Sequence, residues 1–147
     1  MEIVLFNPEI AGNVGAVIRL SANTGIPVNL IKPFGFDLQE NKIRRAGLDY
    51  HDLANTKIYD SWDEFIDLNK NTNICCLSSK GKKSYWDESL RNYNFLIFGP
   101  ESVGLPEDLI LKYKTITIPM KDNSRSINLA NSVGIVAFEY LRQCNVK

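Results

Sequence analysis

Ile118-Pro119-Met120-Lys121-Asp122-Asn123-Ser124-Arg125-Ser126-Ile127-Asn128-Leu129-Ala130-Asn131-Ser132 leads from the end of a strand, through a polar loop, into a helix. Thr115 to Ile118 reads as the strand, and beyond the loop Leu129, Val133, Val136, Ala137, Tyr140 and Leu141 recur at helical spacing. Ser126 or Asn128 is well placed to cap the free N–H groups of that helix. No other stretch packs so many hydrogen-bonding groups together, and a small ligand could dock there.

Working outward, the same strand, loop and helix order returns at the start of the chain. Ile3 to Phe6 is a short continuous apolar run, as in a strand covered on both faces of a parallel sheet. Asn7-Pro8-Glu9-Ile10-Ala11-Gly12-Asn13 breaks it with turn chemistry, and Val14, Val17, Ile18 and Leu20 then form a helical stripe ending near Gly25. Arg19 lies off that stripe, where it could share a region with Asn13. Val28 to Ile31 repeats the strand pattern, closed by Lys32-Pro33, and a short helix is expected from Lys42 to Ala46, stopped by Gly47.

Ile58-Tyr59 is a candidate minor strand, and Ser61-Trp62-Asp63-Glu64 has capping-box spacing before a helix running to about Asn69. Asn73 to Leu77 and Phe95 to Phe98 are further buried strands, separated by the polar, basic loop Ser78 to Ser84. Gly99-Pro100-Glu101-Ser102-Val103-Gly104-Leu105 then turns into a brief helix, Glu107 to Tyr113, with Pro106 suited to its first position. Strands alternating with helices predict an α/β fold with a largely parallel sheet, whose ligands bind beyond the carboxyl ends of the strands.

At 147 residues with 44% hydrophobic content, the chain is long enough for one compact domain, and residues 1–147 are expected to form it. No apolar run approaches the ~20 residues that span a bilayer, and no basic targeting region precedes the first strand, so a cytoplasmic protein without membrane partners is expected. Cys75, Cys76 and Cys144 make no disulfide framework. His51 is the single histidine and no Cys/His/carboxylate cluster has ligand spacing, so no metal is expected. The 17 basic and 17 acidic residues cancel, yet the bases gather at Lys42/Arg44/Arg45, Lys80/Lys82/Lys83 and Lys112/Lys114/Lys121/Arg125, which permits a basic face.

Three strand-end loops carry the chemistry-bearing residues: Asn7 to Gly15, Gly99 to Gly104, and Met120 to Asn128. A dinucleotide-binding fold would want a Gly-x-Gly loop after the first strand and an acid after the second. Gly12-Asn13-Val14-Gly15 has the wrong spacing, and the second strand ends in Lys32-Pro33. Gly81-Lys82-Lys83-Ser84 fails as a phosphate loop, because Cys76 stands where its first glycine belongs and Lys83 where Ser or Thr belongs.

Together the loops resemble the SPOUT class of S-adenosylmethionine-dependent RNA methyltransferases, whose chain is tied in a deep C-terminal trefoil knot. Asn13-Val14-Gly15-Ala16-Val17-Ile18-Arg19-Leu20 with Ala22-Asn23-Thr24-Gly25 looks like the first motif of that class. Phe98-Gly99-Pro100-Glu101 with Gly104-Leu105-Pro106 looks like the second, and Ile118-Pro119-Met120 with Ser124-Arg125-Ser126-Ile127-Asn128-Leu129 like the third. Arg44-Arg45-Ala46-Gly47-Leu48-Asp49-Tyr50-His51 resembles the subgroup that methylates the 2′-hydroxyl of the wobble nucleotide, position 34, in tRNAs including leucine tRNAs. Methylation at another RNA position, or a catalytically silent knotted RNA-binding protein, are the alternatives.

The resemblance implies a bent S-adenosylmethionine held by backbone groups around Leu77, Gly99, Ile118, Met120 and Ser126. It makes Arg19 the candidate catalytic residue, binding the reacting nucleotide's phosphate and stabilising the developing alkoxide, with general base as a secondary role because a guanidinium is a poor proton acceptor. Asn13, Glu101, Ser126 and Asn128 would fix Arg19, the loops and the ribose, with Glu101 an orienting partner. Arg44, Arg45, Lys80 and Lys82 are the candidates for tRNA phosphate contacts. A homodimer is implied, with Arg19 of one subunit facing the cofactor loops of the other. Ala130, Gly134 and Ala137 on the last helix are small enough for close helix approach, between subunits or within one. Phe138 replaces a tyrosine and Val103 an arginine found in some members of the class.

Overall fold

The computed structural model describes residues 1–37 and 55–145. The expected helix at Lys42 to Ala46, with Arg44, Arg45 and His51, lies outside those residues. Seven strands form one sheet: β1 (Glu2–Phe6), β2 (Val28–Ile31), β3 (Thr56–Tyr59), β4 (Ile74–Leu77), β5 (Lys83–Ser84), β6 (Phe95–Phe98) and β7 (Lys114–Thr117). Their order is β3-β2-β1-β6-β4-β7-β5, and every pairing is parallel. The short apolar runs therefore belong to central strands with both faces covered, as β2 and β6 show by burying all their residues.

Among the described residues, four α-helices cover the sheet: α1 (Ala11–Thr24), α2 (Trp62–Leu68), α3 (Glu107–Lys112) and α4 (Leu129–Gln143). Val14, Val17 and Ile18 of α1 and Leu129, Val133, Val136 and Ala137 of α4 pack on one face with Ile3, Leu5, Val28, Leu30, Leu96, Phe98 and Ile116. The alternate strand residues Val4, Ile31, Cys76, Phe95 and Ile97 meet Phe65 of α2 and Leu109 of α3 on the other. Among the described residues, no helix is long and apolar enough to cross a membrane. Cys75 and Cys76 point to opposite faces, and burial pushes both thiols up to about 12, which holds them protonated as packing groups.

Local chemistry sets the ends of these elements. Gly25 ends α1 in the left-handed region at φ 71°, donating its N–H to the Ser21 carbonyl. The Ser61 side chain accepts from Glu64 N–H at 3.1 Å, as the capping pattern predicts, while the Glu64 carboxylate reaches Asp60 N–H at 2.6 Å, one residue short of a reciprocal box. Pro106 occupies the cap position before α3, not its first turn. The loop expected at Ser78 to Ser84 contains β5, which aligns Lys83 with Ile116 and Ser84 with Thr117 at the sheet edge. So short a strand shows no alternation, and only β7 beside it makes it one.

Candidate active site

The strand register brings the carboxyl ends together. Leu5 pairs with Phe98, Leu77 with Phe98, and Leu77 with Ile116, so the loops leaving β1, β6, β4 and β7 emerge side by side. They enclose a cavity of about 360 Å3. Leu77, Phe98, Ile118 and Leu129 supply apolar wall, and Ser78, Ser79, Asn13, Ser126, Asn128 and Ser132 supply polar groups. Gly99, Glu101 and Met120 also line it, so every expected cofactor residue (Leu77, Gly99, Ile118, Met120 and Ser126) faces one space. The first turn of α4 also borders it, and Asn128 is its cap, accepting from Asn131 N–H at 3.2 Å. Ser126 is exposed on the loop and lines the cavity without capping the helix.

Asn13 is the buried link between the loops. Its Nδ2 donates to Glu101 Oε1 at 2.9 Å, and its Oδ1 accepts from Asn128 Nδ2 at 3.0 Å. Glu101 also accepts from the N–H groups of Glu9 at 2.8 Å and Ile10 at 3.3 Å, supplying the anion that the start of α1 lacks from its own cap residue. With three donors on its two oxygens, this carboxylate is committed to holding the loops. Glu9 returns the contact across the same gap. Its carboxylate accepts from Ser102 N–H at 2.7 Å and Ser102 Oγ at 2.6 Å, and those bonds lower its pKa. The spacing of residues gave no signal of this Glu9 to Ser102 contact, because 93 positions separate the partners.

Arg19 is placed differently. It follows Asn13 by six positions on α1, which at about 100° per residue puts the two side chains ~120° apart and displaced by ~9 Å along the axis. Asn13 is buried in the cavity wall, whereas Arg19 is exposed and does not line the cavity. The expectation that both face one region is therefore corrected: within one chain the helix turns them apart. Lys80 and Lys82 are exposed outside the cavity lining. Of the two departures, Val103 is 79% exposed at the cavity and Phe138 is 60% exposed on α4.

Residues 1–138 match the SpoU rRNA Methylase family. The chain belongs to that family. It is 43% identical to the tRNA (cytidine(34)-2'-O)-methyltransferase of Saccharophagus degradans, over 97% of this chain and 94% of that protein. A solved structure bearing on 2-OH methylation of C/U34 on tRNA superposes with a TM-score of 0.91 at 39% identity, covering 99% of this chain and 97% of that one. The SpoU methyltransferase AviRb from Streptomyces viridochromogenes, in complex with AdoMet, shares the fold at a TM-score of 0.85 and 21% identity, over 99% of this chain and 58% of its own. The SpoU fold is thus carried by the described sheet and helices, with the cavity at its carboxyl edge.

The role of Gly99 in this SpoU family chain is conformational. A Cβ built there would stand 2.6 Å from the Gly104 carbonyl carbon and closer still to Leu105 N, so it meets the chain's own backbone. Gly99→Val is therefore expected to lower the melting temperature as well as abolish S-adenosylhomocysteine binding. Calorimetry beside thermal denaturation checks this; a variant with unchanged melting that failed to bind would show that the added side chain acts on the ligand and not on the backbone.

Proposed function

We infer that this chain is an S-adenosylmethionine-dependent tRNA 2′-O-methyltransferase acting on the ribose of the wobble nucleotide, with cytidine or a modified uridine as its base. The observation that carries the inference is 43% identity to a tRNA (cytidine(34)-2'-O)-methyltransferase across 97% of this chain. The cavity is consistent with it: about 360 Å3 suits a ligand of cofactor size, and its apolar walls beside strand-end carbonyl and N–H groups suit an adenosine moiety. When bound, the cofactor would supply its sulfonium methyl group to a ribose 2′-oxygen, with the S–CH3 bond broken, S-adenosylhomocysteine as the leaving product and the hydroxyl proton lost to solvent.

The chain's own residues orient that reaction. Leu77, Gly99, Ile118, Met120 and Ser126 border the cofactor, and Asn13, Glu101 and Asn128 hold the three loops in register. Arg19 binds the reacting nucleotide's phosphate and stabilises negative charge on the oxygen that attacks. Because Arg19 lies away from its own cavity, it acts on the cavity of a second subunit in a homodimer. Support for that assembly comes from α4, where Ile135 is 37% and Phe138 60% exposed and a Cβ at Gly134 would meet nothing within 4 Å. Ala137, 1% exposed, is spent inside the subunit and is no part of that face. Residues 1–147 act as one domain, in the cytoplasm where tRNA is found. The C-terminal knot belongs to the same proposal; its support is that the chain lays β5 at the sheet edge, returns to β6 between β1 and β4, and comes back to β7 between β4 and β5.

Tritium transfer from labelled cofactor into total tRNA, followed by nucleotide mapping, tests the function. Label at the wobble ribose, with leucine tRNAs foremost, is expected; label at another position supports a different RNA substrate, and no label supports a silent binding protein. Arg44, Arg45, Lys80 and Lys82 are the proposed phosphate contacts. Each one removed should reduce the slope of log binding constant against log salt by about 0.7 to 0.9. An unchanged slope in the Arg44→Ala/Arg45→Ala variant would remove that pair from the interface.

A further inference from the structure

The two tryptophans are used in opposite ways. Trp62 packs with Phe6, Phe65 and Tyr113, whereas Trp86 is 63% exposed. An indole left in water forgoes burial, but here its backbone is firmly held. Ser84 Oγ accepts from Trp86 N–H at 3.2 Å at the start of the one-turn 3-10 helix Tyr85–Asp87. Just after it, the Glu88 carboxylate is ion-paired with Lys83 at 2.9 Å and receives the Tyr93 hydroxyl at 3.1 Å. Tyr85, packed against the core, lies 5.6 Å from Trp86 between ring centroids at an angle of 45°, bracing the indole from one side.

The position of this turn relates it to the cavity. Ser84 is in register with Thr117, a cavity residue, so Trp86 leaves the sheet at the same carboxyl edge, one strand farther out. Lys80 and Lys82 are exposed on the loop entering β5. Gly81 between them lies so close to β7 that a Cβ would stand 2.7 Å from the Ile116 carbonyl oxygen, which fixes the loop beside that strand. Lys83 is engaged by Glu88, and Asp87 adds one exposed negative charge to the turn.

We propose that Trp86, with Lys80 and Lys82 on the loop that leads into β5, is a stacking platform for an unpaired base of the RNA whose ribose is methylated. The proposal rests on the function inferred above. A hairpin loop offers unstacked bases, whose faces an indole accepts in any sequence while ammonium groups meet the adjoining phosphates.

The test is binding of a fluorescently labelled anticodon stem-loop by the full chain. Trp86→Ala is expected to weaken binding about 5- to 100-fold with an unchanged salt slope, and Trp86→Phe to keep most of the affinity. Lys80→Ala and Lys82→Ala should instead each lower the slope by about 0.7, and all these variants should bind S-adenosylhomocysteine as the parent does. Equal affinity of Trp86→Ala and parent, with the parent methylating tRNA, overturns the platform alone. A parent that neither binds the stem-loop nor methylates tRNA overturns the inferred function, and the platform with it. Weaker binding by Trp86→Ala accompanied by a monomeric sedimentation coefficient overturns it in favour of a contact between two copies of the chain.

Discussion

Mixing Arg19→Ala subunits with Asn13→Ala subunits is expected to restore methyl transfer to roughly one quarter of the parent rate in the proposed homodimer, although each variant alone should lose nearly all activity. In a two-fold dimer formed by random exchange, about half the molecules are heterodimers, and each has one site with an intact Arg19 opposite an intact loop assembly. The expectation follows from α1, which buries Asn13 in the cavity wall and carries Arg19 out to an exposed position. By itself, Arg19→Ala should lower turnover about 100- to 1,000-fold, the range for losing a donor that stabilises developing oxyanion charge. Its affinity for S-adenosylhomocysteine should be unchanged, since Arg19 is outside its own subunit's cavity and its proposed role in the partner's is toward the nucleotide's phosphate and the attacking oxygen, not the cofactor. Heterodimers confirmed by native mass spectrometry but devoid of activity would place both groups in one subunit.

Glu101→Ala should both destabilise the protein and stop catalysis. The substitution strands the N–H groups of Glu9 and Ile10 and the amide of Asn13, and removes the anion at the start of α1. Loss of charge-assisted bonds to a partly buried group, together with that helix-end contribution, amounts to about 2–4 kcal/mol. Asn13, no longer held, would release Asn128, so the first and third loops should separate where the ribose must be positioned. Urea denaturation and single-turnover methyl transfer measure the two effects. Glu101→Gln separates them: its oxygen can keep one backbone donor, but its amide group turns donors toward donors. If Glu101→Gln transferred methyl groups at the parent rate, this carboxylate would have no positioning role.

The glycine result modifies how cofactor binding should be probed. Gly99 lets β6 pass tightly under the Gly104–Leu105 turn, so substitution there strains the loop before any ligand arrives. Asn13→Ala suits the mixing experiment, because it removes two hydrogen bonds without adding atoms, whereas a side chain at Gly99 would strain the loop itself. Its cost is the loss of the Asn128 Nδ2 partner and of one of the two donors to Glu101 Oε1, and not a collision with backbone.

Much of this protein is legible in local pattern. The runs at Val28 to Ile31 and Phe95 to Phe98 are strands with those same bounds, because strands buried on both faces need mostly apolar side chains; the one polar residue, Asn29, is buried with its Nδ2 donating to Glu2 and the Ile3 carbonyl. The αL turn at Gly25 and the Asn128 cap are likewise read locally, since each satisfies the ends of its own helix. Convergence of the three loops follows once strands alternate with helices, as parallel strands present their carboxyl ends on one side. Tertiary structure alone decided the rest. β5 exists only through its pairing with β7, and Ala137 could be assigned to the interior of the subunit only by seeing what covers it. The bonds joining Glu9 to Ser102 and Glu101 to Asn13 cross from the first loop to the second, and hydrogen bonds between groups so distant along the chain leave no periodicity to read. Helical geometry likewise separated Arg19 from Asn13: residues near each other in sequence share a face only at spacings of three or four, and these two are six apart.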